Sequence, residues 1–159
     1  MTTLYVRCEE GYRVAEPAEV FDRAQALMSQ RYRAGSPILS SPDLTRSYLR
    51  MHLGPCEHER FGMLCLDGRH RLIKIEMLFR GTVSAAAVYP REVVKAALAS
   101  NASAVVMFHN HPSGQSLPSA ADELITRRIR DALAMVDIRV LDHLIVAEEI
   151  YSFAEHGLV

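Results

Sequence analysis

Apolar residues repeat along this chain with two periods, one typical of helices and one typical of strands. The helical period predicts four helices, over residues 16–33, 41–53, 90–98 and 119–136. Gly35-Ser36-Pro37 interrupts the first of these patterns. Ser41 is the expected N-cap of the second helix, because Pro42 suits the first helical position. Gly54-Pro55 then ends this helix.

Short apolar runs between the helices predict β-strands. They lie at residues 61–66, 72–79, 102–108, 141–147 and 150–153. Asp67-Gly68, a dipeptide typical of hairpin turns, joins the first two strands. Because strands and helices are interspersed, we expect a mixed α/β sandwich.

The length of the chain predicts one main domain with an N-terminal addition. A chain of 159 residues suits a single domain with a substantial buried core. We assign residues 41–159 to this domain. Residues 1–40 are expected to form a helical segment that packs on it, and an interaction segment is the alternative.

The composition is that of an ordinary soluble globular protein, with 49% apolar and 23% charged residues. A formal net charge of −1 gives no global electrostatic support for nucleic-acid binding. No apolar run approaches the roughly 20 residues of a membrane span, and the N-terminus lacks the form of a signal peptide. Cys8, Cys56 and Cys65 are odd in number and lack C-x-x-C spacing, which favours a reducing cytoplasm over a disulfide scaffold.

Two alternate histidines, His109 and His111, follow the strand at 102–108 and are candidate metal ligands. Side chains two apart on a strand point to the same face, so both imidazoles should emerge together. Asp122, early in the next helix, can supply a third ligand and leave the fourth position of a zinc ion for water. A buried core histidine is the simpler interpretation of each imidazole. Ser119 and Asp122 also match a capping box, which Glu or Gln more typically completes.

The ordered pattern His-x-His, seven residues, Ser, two residues, Asp resembles the signature of JAMM (JAB/MPN) metallopeptidases. The sequence of residues 109–114, His-Asn-His-Pro-Ser-Gly, resembles that of the RadC-like (UPF0758-type) branch of that superfamily. The resemblance runs from about Ser41 to the C-terminus. Other motifs that agree with it are Leu66-Asp67, Leu78-Phe79-Arg80-Gly81-Thr82, Tyr89-Pro90-Arg91-Glu92, Asn101-Ala102-Ser103-Ala104 and Leu141-Asp142-His143.

The resemblance implies a fold and a reaction. The fold is the cytidine-deaminase-like JAB/MPN sandwich, a central mixed β-sheet flanked by helices. The reaction is hydrolysis of an amide or isopeptide bond in a peptide or protein substrate, with Zn²⁺ held by His109, His111 and Asp122.

The resemblance also implies two catalytic residues. A glutamate at the start of an early strand takes the proton of the attacking water, and Glu59 is the best match. Glu57 is the reserve choice, because it would share the face of Glu59 if the strand already extends there. Ser119 supports the water or the oxyanion that develops during attack.

Two other functions stay open. RadC-like proteins carry a DNA-repair label, so a DNA-repair accessory role is the first alternative, and a non-catalytic interaction domain is the second. We expect a short form, because residues 1–40 are too few for the helix-hairpin-helix region of longer relatives. Asn110 stands where the typical eukaryotic relatives have Ser or Thr, which disfavours a ubiquitin-like substrate.

Two further features have a structural and a functional interpretation. His143 is either a hydrogen-bonded core histidine or the partner of a ligand histidine. Arg127, Arg128 and Arg130 form a small basic cluster, and we interpret it as a solvated helix face.

Overall fold

The computed structural model describes residues 3–8, 11–31, 41–81 and 88–159. The chain forms two compact units, Met1–Arg31 and Tyr32–Val159. The predicted break at Gly35-Ser36-Pro37 lies outside the described residues. Within the described ranges, no helix combines the length and the apolar character that crossing a membrane requires.

The first unit is a β-hairpin followed by a helix. Strand β1 (Tyr5–Cys8) pairs antiparallel with β2 (Gly11–Val14), and helix α1 spans Pro17–Arg31. The helix agrees with the sequence, but the sequence does not predict the hairpin. Most residues of both strands are exposed, so they lack the alternation of apolar and polar positions that marks a half-buried strand. The expected packing of residues 1–40 on the main domain stays a prediction.

The second unit is a five-stranded mixed sheet with helices on both faces, which confirms the predicted fold class. Its strands lie in the order β4-β3-β5-β6-β7. β3 is antiparallel to β4 and β5, β5 is parallel to β6, and β6 is antiparallel to β7. Its elements are α2 (Pro42–Leu53), β3 (Arg60–Leu66), β4 (Leu72–Arg80), α3 (Pro90–Ala99), β5 (Ala104–Asn110), α4 (Ala120–Ala134), β6 (Arg139–Val146) and β7 (Ile150–Ser152).

Two details differ from the sequence-based expectation. β3 and β4 form the predicted hairpin, but residues 67–71 connect them and His70, at a φ of 58°, takes the left-handed conformation. The side chain of Asp67 organises this loop by accepting hydrogen bonds from the backbone N–H groups of Arg69 and Arg71. Ser41 is the N-cap of α2, but its side chain makes no capping hydrogen bond.

The parallel pairing of β5 and β6 places α4 on the sheet. A parallel connection requires a crossover, and α4 provides it between these two strands. α3 and α4 cover the face on which Met63, Met107 and Ile129 form part of the core. α2 contacts β6, and its Thr45 shares a cavity with Val106 from the other face of β5. The strand β5 is therefore buried on both faces, and its carboxyl end meets the start of α4.

Gly62 in the middle of β3 allows a close approach between neighbouring strands. A Cβ atom at this position would lie 2.5 Å from the ring of Phe108 and 2.5 Å from the carbonyl oxygen of Glu76. The Phe108 ring fills the space that a side chain would occupy. Glycine is therefore required here by packing.

Candidate metal centre

The end of β5 and the start of α4 bring the three predicted metal ligands together. His109 is the penultimate residue of β5, and His111 directly follows this strand. Asp122 lies in the first turn of α4. One ligand atom of each residue lies within 4.8 Å of the others. His109 Nε2 is 2.9 Å from His111 Nε2 and 3.2 Å from Oδ1 of Asp122. His111 Nε2 is 3.5 Å from Oδ2 of the same carboxylate.

Nδ1 of each imidazole already has a hydrogen-bond partner outside the cluster, and Nε2 of each faces the cluster. His111 Nδ1 lies 2.7 Å from the carbonyl oxygen of Gln115. Because a carbonyl oxygen only accepts, Nδ1 donates, and Nε2 of the neutral ring carries the lone pair. His109 Nδ1 lies 2.8 Å from Nε2 of His143. Two imidazole nitrogens and a carboxylate are the three protein ligands that a catalytic zinc ion takes, so these residues fit zinc.

The charges of the cluster favour a positive charge between these side chains. The hydrogen bond with Asp122 raises the pKa of His111, and the negative charge of Glu59 contributes in the same direction. Burial acts to raise the pKa of Asp122, but hydrogen bonds from His109 and His111 outweigh it and hold that pKa well below its usual range. The carboxylate is therefore ionised and available to a cation.

A capping box at the start of α4 sets the position of Asp122. The Asp122 backbone N–H donates to Ser119 Oγ over 3.1 Å, and the Ser119 N–H donates to Asp122 Oδ2 over 2.8 Å. The Ser119 hydroxyl also donates to Oδ2 over 2.6 Å. The predicted box is confirmed, with Asp in place of Glu or Gln. Because its hydroxyl contacts the carboxylate, the oxyanion role of Ser119 stays a prediction.

Glu59 and Glu57 lie beside different parts of the cluster. A cavity of about 240 Å³ is lined by Glu59, His109 and Asp122. Glu57 lines a separate cavity that His111 also borders. The two glutamates do not share a strand face, because β3 begins only at Arg60. The geometry therefore favours Glu59 for any role that needs the His109–Asp122 side of the cluster.

The remaining wall of the Glu59 cavity is mostly apolar. Arg128 also lines it, whereas Arg127 pairs with Glu123 on the outer part of α4. The interpretation of the basic cluster as a solvated face is therefore incomplete for Arg128. The other residues of the wall are Phe61, Val88, Ala121, Leu124, Ile125 and His143.

Asn110, between the two histidines, holds the backbone on both sides of Glu59. It is 2% exposed and lies on the opposite face of β5 from His109. Its Oδ1 accepts from the Arg60 N–H over 2.8 Å, and its Nδ2 donates to the His58 carbonyl over 3.1 Å. Glu59 itself accepts a 2.8 Å backbone hydrogen bond from Gly81. The sequence indicates that Asn110 points away from the ligands, but no local signal identifies partners 50 residues earlier.

His143 combines its two predicted interpretations. It is a core residue with 0% exposure, and it contacts the candidate ligand His109 directly. Burial lowers the pKa of His143 well below its usual value, so the ring is neutral. Its other nitrogen, Nδ1, lies 2.6 Å from Oγ1 of Thr126 on α4. Thr126 is a site residue that sequence reasoning missed, although it lies four positions after Asp122 on the same helix.

Comparison with known proteins identifies the family. A model of the RadC-like JAB domain matches residues 39–158. A UPF0758 protein of Vibrio cholerae is 52% identical over 139 residues, which cover 87% of this chain and 88% of the relative. A UPF0758 protein of Thioalkalivibrio sulfidiphilus is 58% identical over 121 residues, 76% of this chain and 54% of that protein. One from Leptothrix cholodnii is 52% identical over 136 residues, 85% of this chain and 60% of that protein. The chain therefore belongs to the RadC-like JAB domain family.

Proposed function

We propose that this protein is a zinc-dependent hydrolase that cleaves an amide or isopeptide bond in a peptide or protein. One observation carries the proposal: His109, His111 and Asp122 converge within 4.8 Å, and Glu59 lines a cavity with two of them. Membership of the JAB superfamily, which includes hydrolases, supports the same conclusion.

Each side chain of the site has a chemical task in this reaction. His109 and His111 would hold the metal through Nε2, and Asp122 would hold it through a carboxylate oxygen. When bound, zinc supplies Lewis-acid chemistry, because it lowers the pKa of water and polarises a carbonyl group. Glu59 accepts a proton from the attacking water and transfers it to the leaving nitrogen. Ser119 donates its hydroxyl to the developing oxyanion, for which it must turn from Asp122.

The apolar wall of the Glu59 cavity suggests which substrates fit. Leu124 and Ile125 of α4 and Val88 before α3 offer contacts to aliphatic or aromatic side chains. We therefore expect peptides with an apolar residue beside the cleaved bond to be better substrates than fully polar peptides. Apolar walls also limit the access of bulk water during proton transfer.

Metal analysis and two matched variants test the proposal. The purified chain, after reconstitution with Zn²⁺, is expected to retain one zinc ion and to hydrolyse members of a peptide panel. E59Q should keep the zinc ion and lose about a hundredfold or more of the hydrolysis, since it removes the base. E57Q, two residues away and outside the Glu59 cavity, is the control and should retain activity.

Two results would contradict the proposal in different ways. A wild-type chain that retains no zinc after reconstitution rules out the metal centre. A chain that retains zinc but cleaves no peptide of the panel would argue against a peptidase and in favour of the non-catalytic interaction domain. Equal losses in E57Q and E59Q would refute the assignment of the base.

A further inference from the structure

A chain of three hydrogen bonds connects the candidate ligand His109 to the backbone of Asp122, another candidate ligand. His109 Nδ1 lies 2.8 Å from His143 Nε2, and His143 Nδ1 lies 2.6 Å from Thr126 Oγ1. The Thr126 hydroxyl donates to the Asp122 carbonyl oxygen over 2.6 Å. His143 and Thr126 are 0% and 1% exposed, so water does not compete for these contacts.

The direction of every hydrogen bond in this chain follows from its last member. The Asp122 carbonyl only accepts, so the single hydroxyl proton of Thr126 points to it. Thr126 Oγ1 must then accept from His143, which places the proton of His143 on Nδ1. The ring of His143 lies between Phe61 and Phe153, an apolar environment that disfavours a charged imidazole. His143 Nε2 therefore accepts, and His109 donates from Nδ1.

The proton on Nδ1 of His109 determines the state of its other nitrogen, Nε2. A neutral imidazole with its proton on Nδ1 carries a lone pair on Nε2, the atom that faces His111 and Asp122. Metal-binding histidines usually obtain this tautomer by donating to a carboxylate or a carbonyl, which cannot donate in return. Here the partner is another imidazole, which can either donate or accept. A group next to His143 must therefore determine whether its Nε2 donates or accepts, and Thr126 is in contact with His143.

We propose that Thr126 and His143 are positioning residues that hold His109 in the tautomer required to bind the metal. The inference rests on the proposed metal site and adds two residues that touch neither metal nor substrate. Without the Thr126 hydroxyl, the His143 proton loses its acceptor at Nδ1 and moves to Nε2. His143 then donates to His109 Nδ1, and the proton of His109 occupies the nitrogen that should bind the metal.

A threonine-to-valine substitution removes the hydroxyl while keeping the shape of the side chain. T126V is expected to weaken Zn²⁺ binding by about 10- to 100-fold in competition with a chromophoric chelator. T126S restores the hydroxyl and should bind Zn²⁺ like the wild type. T45V is the matched control, because Thr45 is also a buried helical threonine whose hydroxyl donates to the carbonyl four residues earlier. It should leave Zn²⁺ binding unchanged.

Long-range ¹H–¹⁵N correlation spectra of the histidine side chains provide a readout that does not depend on zinc. Before Zn²⁺ is added, we expect Nδ1 of His109 to carry a proton in the wild type, T126S and T45V, in neutral rings and in rings that also carry a proton on Nε2. In T126V, a population of His109 with an unprotonated Nδ1 and a proton on Nε2 should appear. A loss of packing alone would not move the proton between the two nitrogens.

Two results would overturn the inference. One is a folded T126V that binds Zn²⁺ as tightly as the wild type. The other is a wild-type spectrum in which Nδ1 of His109 is unprotonated and Nε2 carries the proton, which decides the question even if T126V does not fold. If the wild type binds no zinc, the proposed function fails, and the spectra alone still decide whether Thr126 sets the tautomer.

Discussion

Replacing Asn110 by Asp should destabilise the protein strongly, although the two side chains have the same shape. Asn110 Nδ2 donates to the His58 carbonyl over 3.1 Å and to the Cys56 carbonyl over 3.4 Å, and Oδ1 accepts from the Arg60 N–H. Aspartate keeps the acceptor for Arg60. It also places a second carboxylate oxygen against two carbonyl oxygens in a buried position. Two hydrogen bonds are thereby lost, and the carbonyl oxygens of Cys56 and His58 face a negatively charged oxygen.

The expected loss follows from these contacts. Leaving a buried polar group without its partner costs about 1–3 kcal/mol, so we expect N110D to lower the free energy of unfolding by about 2–4 kcal/mol. For a chain of this size that corresponds to a decrease in Tm of roughly 5–15 °C. The backbone on both sides of Glu59 loses its restraint at His58. Hydrolysis should therefore fall more than Zn²⁺ binding, because His109 points to the other face of β5 and Asp122 lies on α4.

Equilibrium unfolding in urea measures the effect. N101D is the matched control, since Asn101 is exposed and carries the same substitution. Asn101 follows the C-cap of α3 with a φ of 52°, where a carboxylate meets the negative end of the helix dipole, so we expect N101D to cost about 1 kcal/mol or less. If N110D unfolds at the same urea concentration as N101D and the wild type, Asn110 does not hold the segment that contains Glu59.

Three other substitutions test the fold and the support of the site. G62A should cost about 3 kcal/mol or more, because its Cβ would lie 2.5 Å from the Phe108 ring; an unchanged urea midpoint would contradict the packing. S119A should cost about 1 kcal/mol through loss of the helix cap, and S119T should restore most of it in the same assay. Hydrogen bonds from the backbone and side chain of Arg71 lower the pKa of Asp67 to about 2, below its unfolded value of 3.8. Ionised Asp67 therefore stabilises the fold above about pH 4 and loses this effect towards pH 2, so the wild type and D67N should differ at pH 7 and converge near pH 2.

The sequence alone determined the features that depend on near neighbours. The apolar spacing of α2, α3 and α4 and the apolar runs of the strands predict the elements of the second unit, and with them the mixed α/β fold. The spacing of His109, His111 and Asp122 predicts a ligand set that the structure brings together. The helix periods, the strand alternation and the capping box are local signals, because they involve residues no more than about four positions apart. The ligand set spans residues 109–122, and its prediction also depends on the resemblance of this ordered motif to the JAMM signature.

The hairpin β1–β2 marks the limit of these signals. Its strands are short and mostly exposed, so the order of apolar and polar residues does not predict their pairing. The antiparallel ladder is stabilised by backbone hydrogen bonds, for which every residue offers an acceptor and every residue except proline a donor.

Only the tertiary structure decided which residues support the predicted ligands. Glu59 shares a cavity with His109 because β3 begins one residue later, and the choice against Glu57 depends on that boundary. Asn110 reaches partners some 50 residues earlier, and His143 reaches His109 across 34 residues. Such contacts follow from the register of β3, β5 and β6 and from the docking of α4. Local periodicity determines the face of a strand or helix to which a side chain points. Which other side chain it contacts there depends on how elements distant in sequence pack.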